Sequence, residues 1–104
     1  MTPARPFTRP YVAADSLDEL RGPTNGEFTL PRRLDWGPAR PFDLSNERHL
    51  VIMYETVLNE ARDINDLRSF VNGHSLVRLW PSLTLPPEVR TPWAERIPEL
   101  STGA

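Results

Sequence analysis

The residues that could carry acid–base or metal chemistry are few, and their spacing matches no catalytic pattern. The chain has two histidines, His49 and His74, and no cysteine. Asp63 and Asp66 precede His74, but neither histidine stands at the spacing of a metal-ligand set or a catalytic triad. The histidines are therefore predicted to be exposed or capping residues.

Motifs for nucleophilic catalysis and phosphate binding are also missing from the sequence. No serine stands in a Gly-x-Ser-x-Gly elbow, and no glycine-rich loop follows a predicted strand. The neighbouring carboxylates of Asp18 and Glu19 point in different directions on a helix, so they do not form a catalytic pair. We therefore expect a non-enzymatic protein with no catalytic residue, no metal site and no cofactor.

Arginine supplies all of the positively charged side chains that are always protonated. The chain contains 12 arginines and no lysine, against 14 acidic residues, for a formal net charge of −2. Arginine can bind phosphate or carboxylate through two parallel hydrogen bonds. Proline is abundant as well, however, so the composition is better explained by a GC-rich genome. The charge balance is not the basic one of a typical nucleic-acid-binding domain.

One stretch has the outline of a helix-turn-helix motif and keeps DNA binding open as the alternative function. Predicted helices over 63–71 and 75–80 flank a turn at 72–73. The second helix offers His74 and one arginine to base edges but is otherwise mostly apolar, so nucleic acid is the less favoured partner. The candidate phosphate contacts of a small DNA-binding transcriptional regulator are Arg32, Arg33 and Arg78.

The aromatic residues favour a protein partner instead. Three tryptophans are many for 104 residues. Tryptophan and tyrosine are enriched at binding hot spots, although the same residues can simply build a thin core. The candidate partner-binding residues are Tyr54, Trp80, Trp93 and Trp36.

A proline-free block must position most of these side chains. The 12 prolines bracket residues 45–80, which contain none. Apolar residues at helical spacing predict a helix over about 46–62 and a second one over about 64–71, capped by Asp63. We expect 72–73 to close the second helix, because Asn and Gly tolerate left-handed backbone angles.

Shorter elements flank this block. The sequence predicts short helices over about 15–21 and 75–80, and another from Pro87 with an inner face of Val89, Trp93 and Ile97. Pro92 should kink this last helix or let Thr91 cap a fresh turn, and Pro98 should end the ordered chain.

The elements together predict a mainly α protein. We expect a small bundle of three to four short helices, with one extended segment over 27–36 packed on it, because a lone strand cannot form a sheet. Residues 1–14 are predicted to be a flexible proline-rich arm, 15–99 a single small domain with its helical centre at 45–80, and 100–104 a free tail. No apolar run is long enough to span a membrane and no signal peptide is evident, which predicts a cytoplasmic protein.

Several short stretches carry a resemblance to a known family. They are LRGPT at 20–24, LPRRLDW at 30–36, MYETVLNEA at 53–61 and LVRLWP at 76–81, followed by LP at 85–86 and by Trp93. Over about residues 15–100 the chain resembles a small family of actinobacterial, Streptomyces-type proteins. Pro92 and Glu47 depart from the family's pattern, which affects only local helix geometry.

The resemblance implies a function through a partner. Members look like the smaller partner in a two-gene arrangement with a nucleotidyltransferase-like protein of the type IV toxin class. The chain would then be a protein-interaction or regulatory module with an antitoxin-like role. The resemblance carries over no catalytic or binding residue.

Overall fold

The computed structural model describes residues 12–35 and 40–101, and the structural statements below refer to these residues. The α-helices are α1 (Glu47–Glu60), α2 (Ile64–Phe70), α3 (Gly73–Leu79), α4 (Pro87–Arg96) and α5 (Pro98–Ser101), with 3₁₀ helices at Leu17–Glu19 and Trp80–Ser82. The two strands, β1 (Glu27–Phe28) and β2 (Phe42–Asp43), form a small antiparallel sheet. The prediction of a mainly α protein is confirmed.

The longest helix, α1, forms where the apolar periodicity predicts it. The Asn46 side chain accepts hydrogen bonds from the backbone N–H groups of Arg48 and His49, which satisfies donors that a helix start leaves unpaired. One face of α1 is buried and forms the centre of the core, with side chains from Leu50, Met53, Tyr54, Val57 and Leu58.

The corner between α2 and α3 differs from the prediction. Asp63 caps α2 as expected, accepting from the N–H groups of Asn65 and Asp66. Asn72 does not close α2 in a left-handed conformation, because its backbone is extended (φ −104, ψ 131) and its side chain accepts from the N–H of Ser75. Asn72 thus opens α3, which begins two residues before the predicted position.

The backbone at the prolines near the C-terminal end of the described chain also differs from the prediction. A single helix, α4, continues across Pro92 to Arg96 rather than restarting at Thr91. Pro98 begins α5 instead of ending order, since the first residue of a helix needs no N–H donor. Leu100 is 3% exposed and joins the core, so packing extends into the predicted free tail.

The extended segment is not a lone strand. Phe28 pairs with Phe42, and Glu27 pairs with Asp43. Each strand has only two residues, which is too short for an alternating pattern to predict the pairing from the sequence. The chain then turns rather than continuing in extended form: the Pro31 carbonyl accepts from the N–H groups of residues 34 and 35, at 2.9 and 3.1 Å. The segment does pack on the helices, because the Phe28 ring lies 5.3 Å from that of Phe70 on α2.

The last residues of the predicted arm belong to the fold. Ala14 is fully buried, and the Ala13 carbonyl accepts a hydrogen bond from the Arg96 guanidinium at 2.9 Å. The rest of the predicted arm, residues 1–11, lies outside the described residues. Within the described part of the chain, no helix combines the length and apolar character needed to cross a membrane.

Candidate functional site

The aromatic residues predicted to bind a partner lie in the core. Tyr54 and Trp93 have no exposed surface, and Trp80 is 5% exposed. The Tyr54 hydroxyl accepts from the Asn72 N–H at 3.0 Å, and burial raises the pKa of this hydroxyl. Their rings are already buried against the chain itself, so in this conformation they do not form a docking surface. Trp36 lies outside the described residues.

Trp80 is further held by an arginine. The Arg90 guanidinium lies over the Trp80 ring, 4.6 Å from its centroid. The same guanidinium donates to the carbonyls of Leu83 and Trp80 at 3.1 and 3.3 Å. These contacts tie α4 to the 3₁₀ turn after α3, which is a structural role.

The arginines predicted to contact phosphate are not brought together as one cationic surface. Arg33 donates to the buried Asp66 carboxylate at 2.6 Å, while Arg78 forms an ion pair with Glu47. Arg32 is exposed on the turn. Arg33 and Arg78 thus pair with carboxylates on two different helices, α2 and α1.

Asp66 is the charged side chain with the least exposure among the described residues, at 3%. Its carboxylate accepts from Arg33 and from the Arg62 N–H, the latter at 3.0 Å. The hydrogen bond from Arg33 lowers the pKa of Asp66, outweighing the opposite effect of burial. The group is fixed and fully engaged, so it holds the turn at 31–35 against α2 and is not poised for acid–base chemistry.

A concavity in the described part of the chain has a volume of about 690 Å³. It lies between residues 15–21, the start of α3 at 72–74, and the α4–α5 junction at 96–99, and we call it the end cleft. Its charged and titratable lining side chains are Asp15, Asp18, Arg21, His74, Arg96 and Glu99.

Close backbone contact builds one wall of the end cleft. The Gly73 N–H donates to the Leu20 carbonyl at 3.0 Å, and the Gly22 N–H donates to the Val71 carbonyl at 2.8 Å. A Cβ on Gly73 would lie 2.5 Å from the Leu17 carbonyl oxygen. Glycine at position 73 therefore lets the first 3₁₀ helix lie directly on the start of α3.

The end cleft carries charges of both signs and some apolar surface. Arg96 pairs with Asp15 at 3.4 Å, and Arg21 donates to the Asp18 carbonyl at 3.1 Å. The lining also includes Leu17, which is half-buried. Hydrogen bonds, ion pairs and apolar contact are thus available together, which suits a polypeptide segment better than a phosphate backbone.

A second, shallower cleft of about 410 Å³ is acidic. Asp35, Glu55 and Glu60 contribute to its lining. Two of these carboxylates are engaged, because Asp35 pairs with Arg40 at 3.2 Å and Glu55 accepts from the Thr84 N–H at 2.6 Å. Across the described residues, no group of three or more His, Cys, Asp or Glu side chains is arranged to hold a metal ion.

The end cleft was not predicted as a site. The sequence offered two local signals for its walls: the Ser16–Glu19 spacing of a capping box, and glycine at position 73. The first signal is reflected in the structure, where the Glu19 carboxylate accepts from the Asp15 and Ser16 N–H groups. Neither signal shows that these segments meet, since they lie about fifty residues apart.

Comparison with protein-family models, with curated proteins and with solved structures found no match to this chain. The family resemblance and its implied partner therefore stay predictions.

Proposed function

We propose that the chain is a non-enzymatic, cytoplasmic protein-interaction module that binds a partner protein at the end cleft. The observation that carries the proposal is the lining of this cleft, which combines Arg21, Arg96 and His74 with three acidic side chains and the half-buried Leu17. Such a mixed surface can complement the polar rim and apolar core of a protein interface.

The partner follows from the sequence resemblance. A nucleotidyltransferase-like protein of the type IV toxin class would be bound and restrained by this chain, giving it an antitoxin-like regulatory role. The alternative, a DNA-binding regulator, has less support because Arg33 and Arg78 already pair with carboxylates.

Coexpression with a nucleotidyltransferase-like protein of the type IV toxin class tests this proposal. We expect a complex that survives gel filtration and binds with little salt dependence. Arg21→Glu should weaken binding by about tenfold, because charge reversal within an interface opposes the partner's potential. Arg48→Glu is the matched control, since Arg48 is exposed on α1 and lines neither cleft, and it should bind like the unmodified protein.

Two outcomes would contradict the proposal. If Arg21→Glu and Arg48→Glu bind equally well, the end cleft is not the interface. If no complex forms but the protein binds duplex DNA with a steep salt dependence that is reduced in Arg32→Ala, the DNA-binding alternative is correct.

A further inference from the structure

The corner between β2 and α1 depends on a histidine in one protonation state. The backbone N–H of Asp43 donates to Nδ1 of His49 at 2.9 Å. A ring nitrogen that accepts a hydrogen bond cannot carry a proton, so this contact requires the neutral imidazole with its proton on Nε2. His49 is half-buried, so the contact is partly shielded from competing water.

The ring is held against the core by its neighbours. It stands edge-on to the Phe42 ring, with centroids 6.4 Å apart, and Phe42 is 3% exposed. On α1, the backbone N–H of His49 donates to the Asn46 cap. Movement of this ring would therefore disturb both β2 and the first turn of α1.

Charged groups of both signs lie around this corner. The Asp43 carboxylate already accepts from the N–H and Oγ of Ser45, at 2.9 and 2.6 Å, and these bonds lower the pKa of Asp43. The Arg40 guanidinium lies 5.0 Å from the Phe42 ring centroid. It adds positive charge on the side of β2.

Charges on α1 and α3 complete this environment. Glu47, in the first turn of α1, is paired with Arg78 from α3. Arg48 adds a second exposed cation beside the histidine. Glu27, opposite Asp43 on β1, adds an exposed carboxylate to this environment.

We propose that His49 is a pH-sensitive latch that holds the end of β2 to α1 when neutral and releases it when protonated. In the imidazolium both ring nitrogens are donors, so Nδ1–H would face the Asp43 N–H and the hydrogen bond would be lost. The contact therefore holds the corner only in molecules whose His49 ring is neutral. This device is independent of the proposed partner.

Hydrogen exchange at the Asp43 amide tests the latch in the full-length protein. Between about pH 7.5 and about pH 5.5 we expect its protection factor, corrected for the intrinsic pH dependence of exchange, to fall about fivefold, the effect of losing one hydrogen bond. His49→Gln should remove this dependence, because a glutamine oxygen can accept but does not titrate in this range. His74→Gln is the matched control for this measurement, and its Asp43 amide should show the same pH dependence of exchange as in the unmodified protein.

Unchanged protection of the Asp43 amide in the unmodified protein would overturn the proposal, as would an equal fall in His49→Gln. If His49→Gln does not fold, the nitrogen NMR shifts of the His49 ring in the unmodified protein show which ring nitrogen carries the proton and so test the proposal. A neutral ring with its proton on Nε2 at the higher pH is expected, and a proton on Nδ1 there would overturn the latch.

Discussion

Arg33 and Asp66 illustrate how a single contact holds an irregular segment in place. Asp66 is buried on α2, while the Arg33 side chain is 56% exposed. The partly solvated guanidinium therefore neutralises a carboxylate that has lost its contact with water. A buried carboxylate without this partner would keep its desolvation cost and lose the compensating hydrogen bond. The neighbouring Arg32 is exposed in the same turn and provides a natural comparison.

We expect Arg33→Ala to lower the free energy of unfolding at pH 7 more than Arg32→Ala does, because only Arg33 pairs with the buried Asp66. Urea unfolding followed by circular dichroism measures both values. Equal effects of the two substitutions would contradict a specific role for the Arg33–Asp66 contact.

The same pair predicts a dependence on pH. Because its folded-state pKa is lowered, Asp66 contributes stability that is present above the ordinary carboxyl value of 3.8 and lost as the pH falls through and below it. The difference in stability between the unmodified protein and Arg33→Ala should therefore shrink from pH 7 to about pH 3. A difference that stays constant over this range would show that the contact is not ionic.

At the scale of elements, Asn72 is the residue that separates α2 from α3. Its side chain accepts from the Ser75 N–H, while its own N–H is bound by the Tyr54 hydroxyl. The first contact depends on the side chain, and the second depends only on the backbone. Asn72→Ala therefore removes the cap of α3, together with the Nδ2 donor to the Gly22 carbonyl at 3.5 Å, while leaving the backbone donor to Tyr54 in place.

We expect Asn72→Ala to lower the free energy of unfolding by about 1 kcal/mol, the usual cost of losing an N-cap. Asn72→Asp is the matched control and should cost much less, because a carboxylate caps a helix start equally well and is favoured by the helix dipole. Urea denaturation measures both. If the two variants have the same stability, the side chain of Asn72 does not cap α3.

The elements that could be predicted are those whose signals are local. The periodic apolar residues of α1 and the caps Asn46 and Asp63 lie within one helix and its first turn, so the sequence alone contains them. Asn72 and Pro98 are ambiguous, because Asn can close one helix or open the next, and Pro can stop a chain or begin a helical turn. The structure selects the second meaning in both cases.

The contacts that could not be predicted join distant parts of the chain. Arg33 and Asp66 are 33 positions apart, and the Gly22–Val71 contact that supports the end cleft joins positions 49 apart. The same limit applies to Tyr54 and Trp93, since their aromatic chemistry suits a partner surface and a core equally well. Only the packing of the whole chain decides between these two uses.

At the scale of the whole molecule, the core is built around Trp93, the largest fully buried side chain among the described residues. Its indole nitrogen is buried and has no hydrogen-bond partner within the described part of the chain. The ring therefore stabilises the core by its apolar area, while its one polar atom works against folding.

We expect Trp93→Ala to destabilise the protein by about 4 kcal/mol, because it leaves a large cavity. Trp93→Phe should cost less than about 2 kcal/mol, since it keeps most of the ring and removes the unpaired donor. Thermal and urea unfolding of both variants provide the measurement. A Trp93→Phe variant as unstable as Trp93→Ala would contradict this account of the core.

The hydrogen bond between Arg96 and the Ala13 carbonyl joins residues 83 positions apart. Closing so long a loop has an entropic cost that local helix formation does not share, so we expect the end cleft to form late in folding. Its walls exist only while both ends of the described chain are docked. A partner bound there would hold the ends together, so it would stabilise the fold by an amount that grows with its free concentration relative to Kd, and each process would reinforce the other.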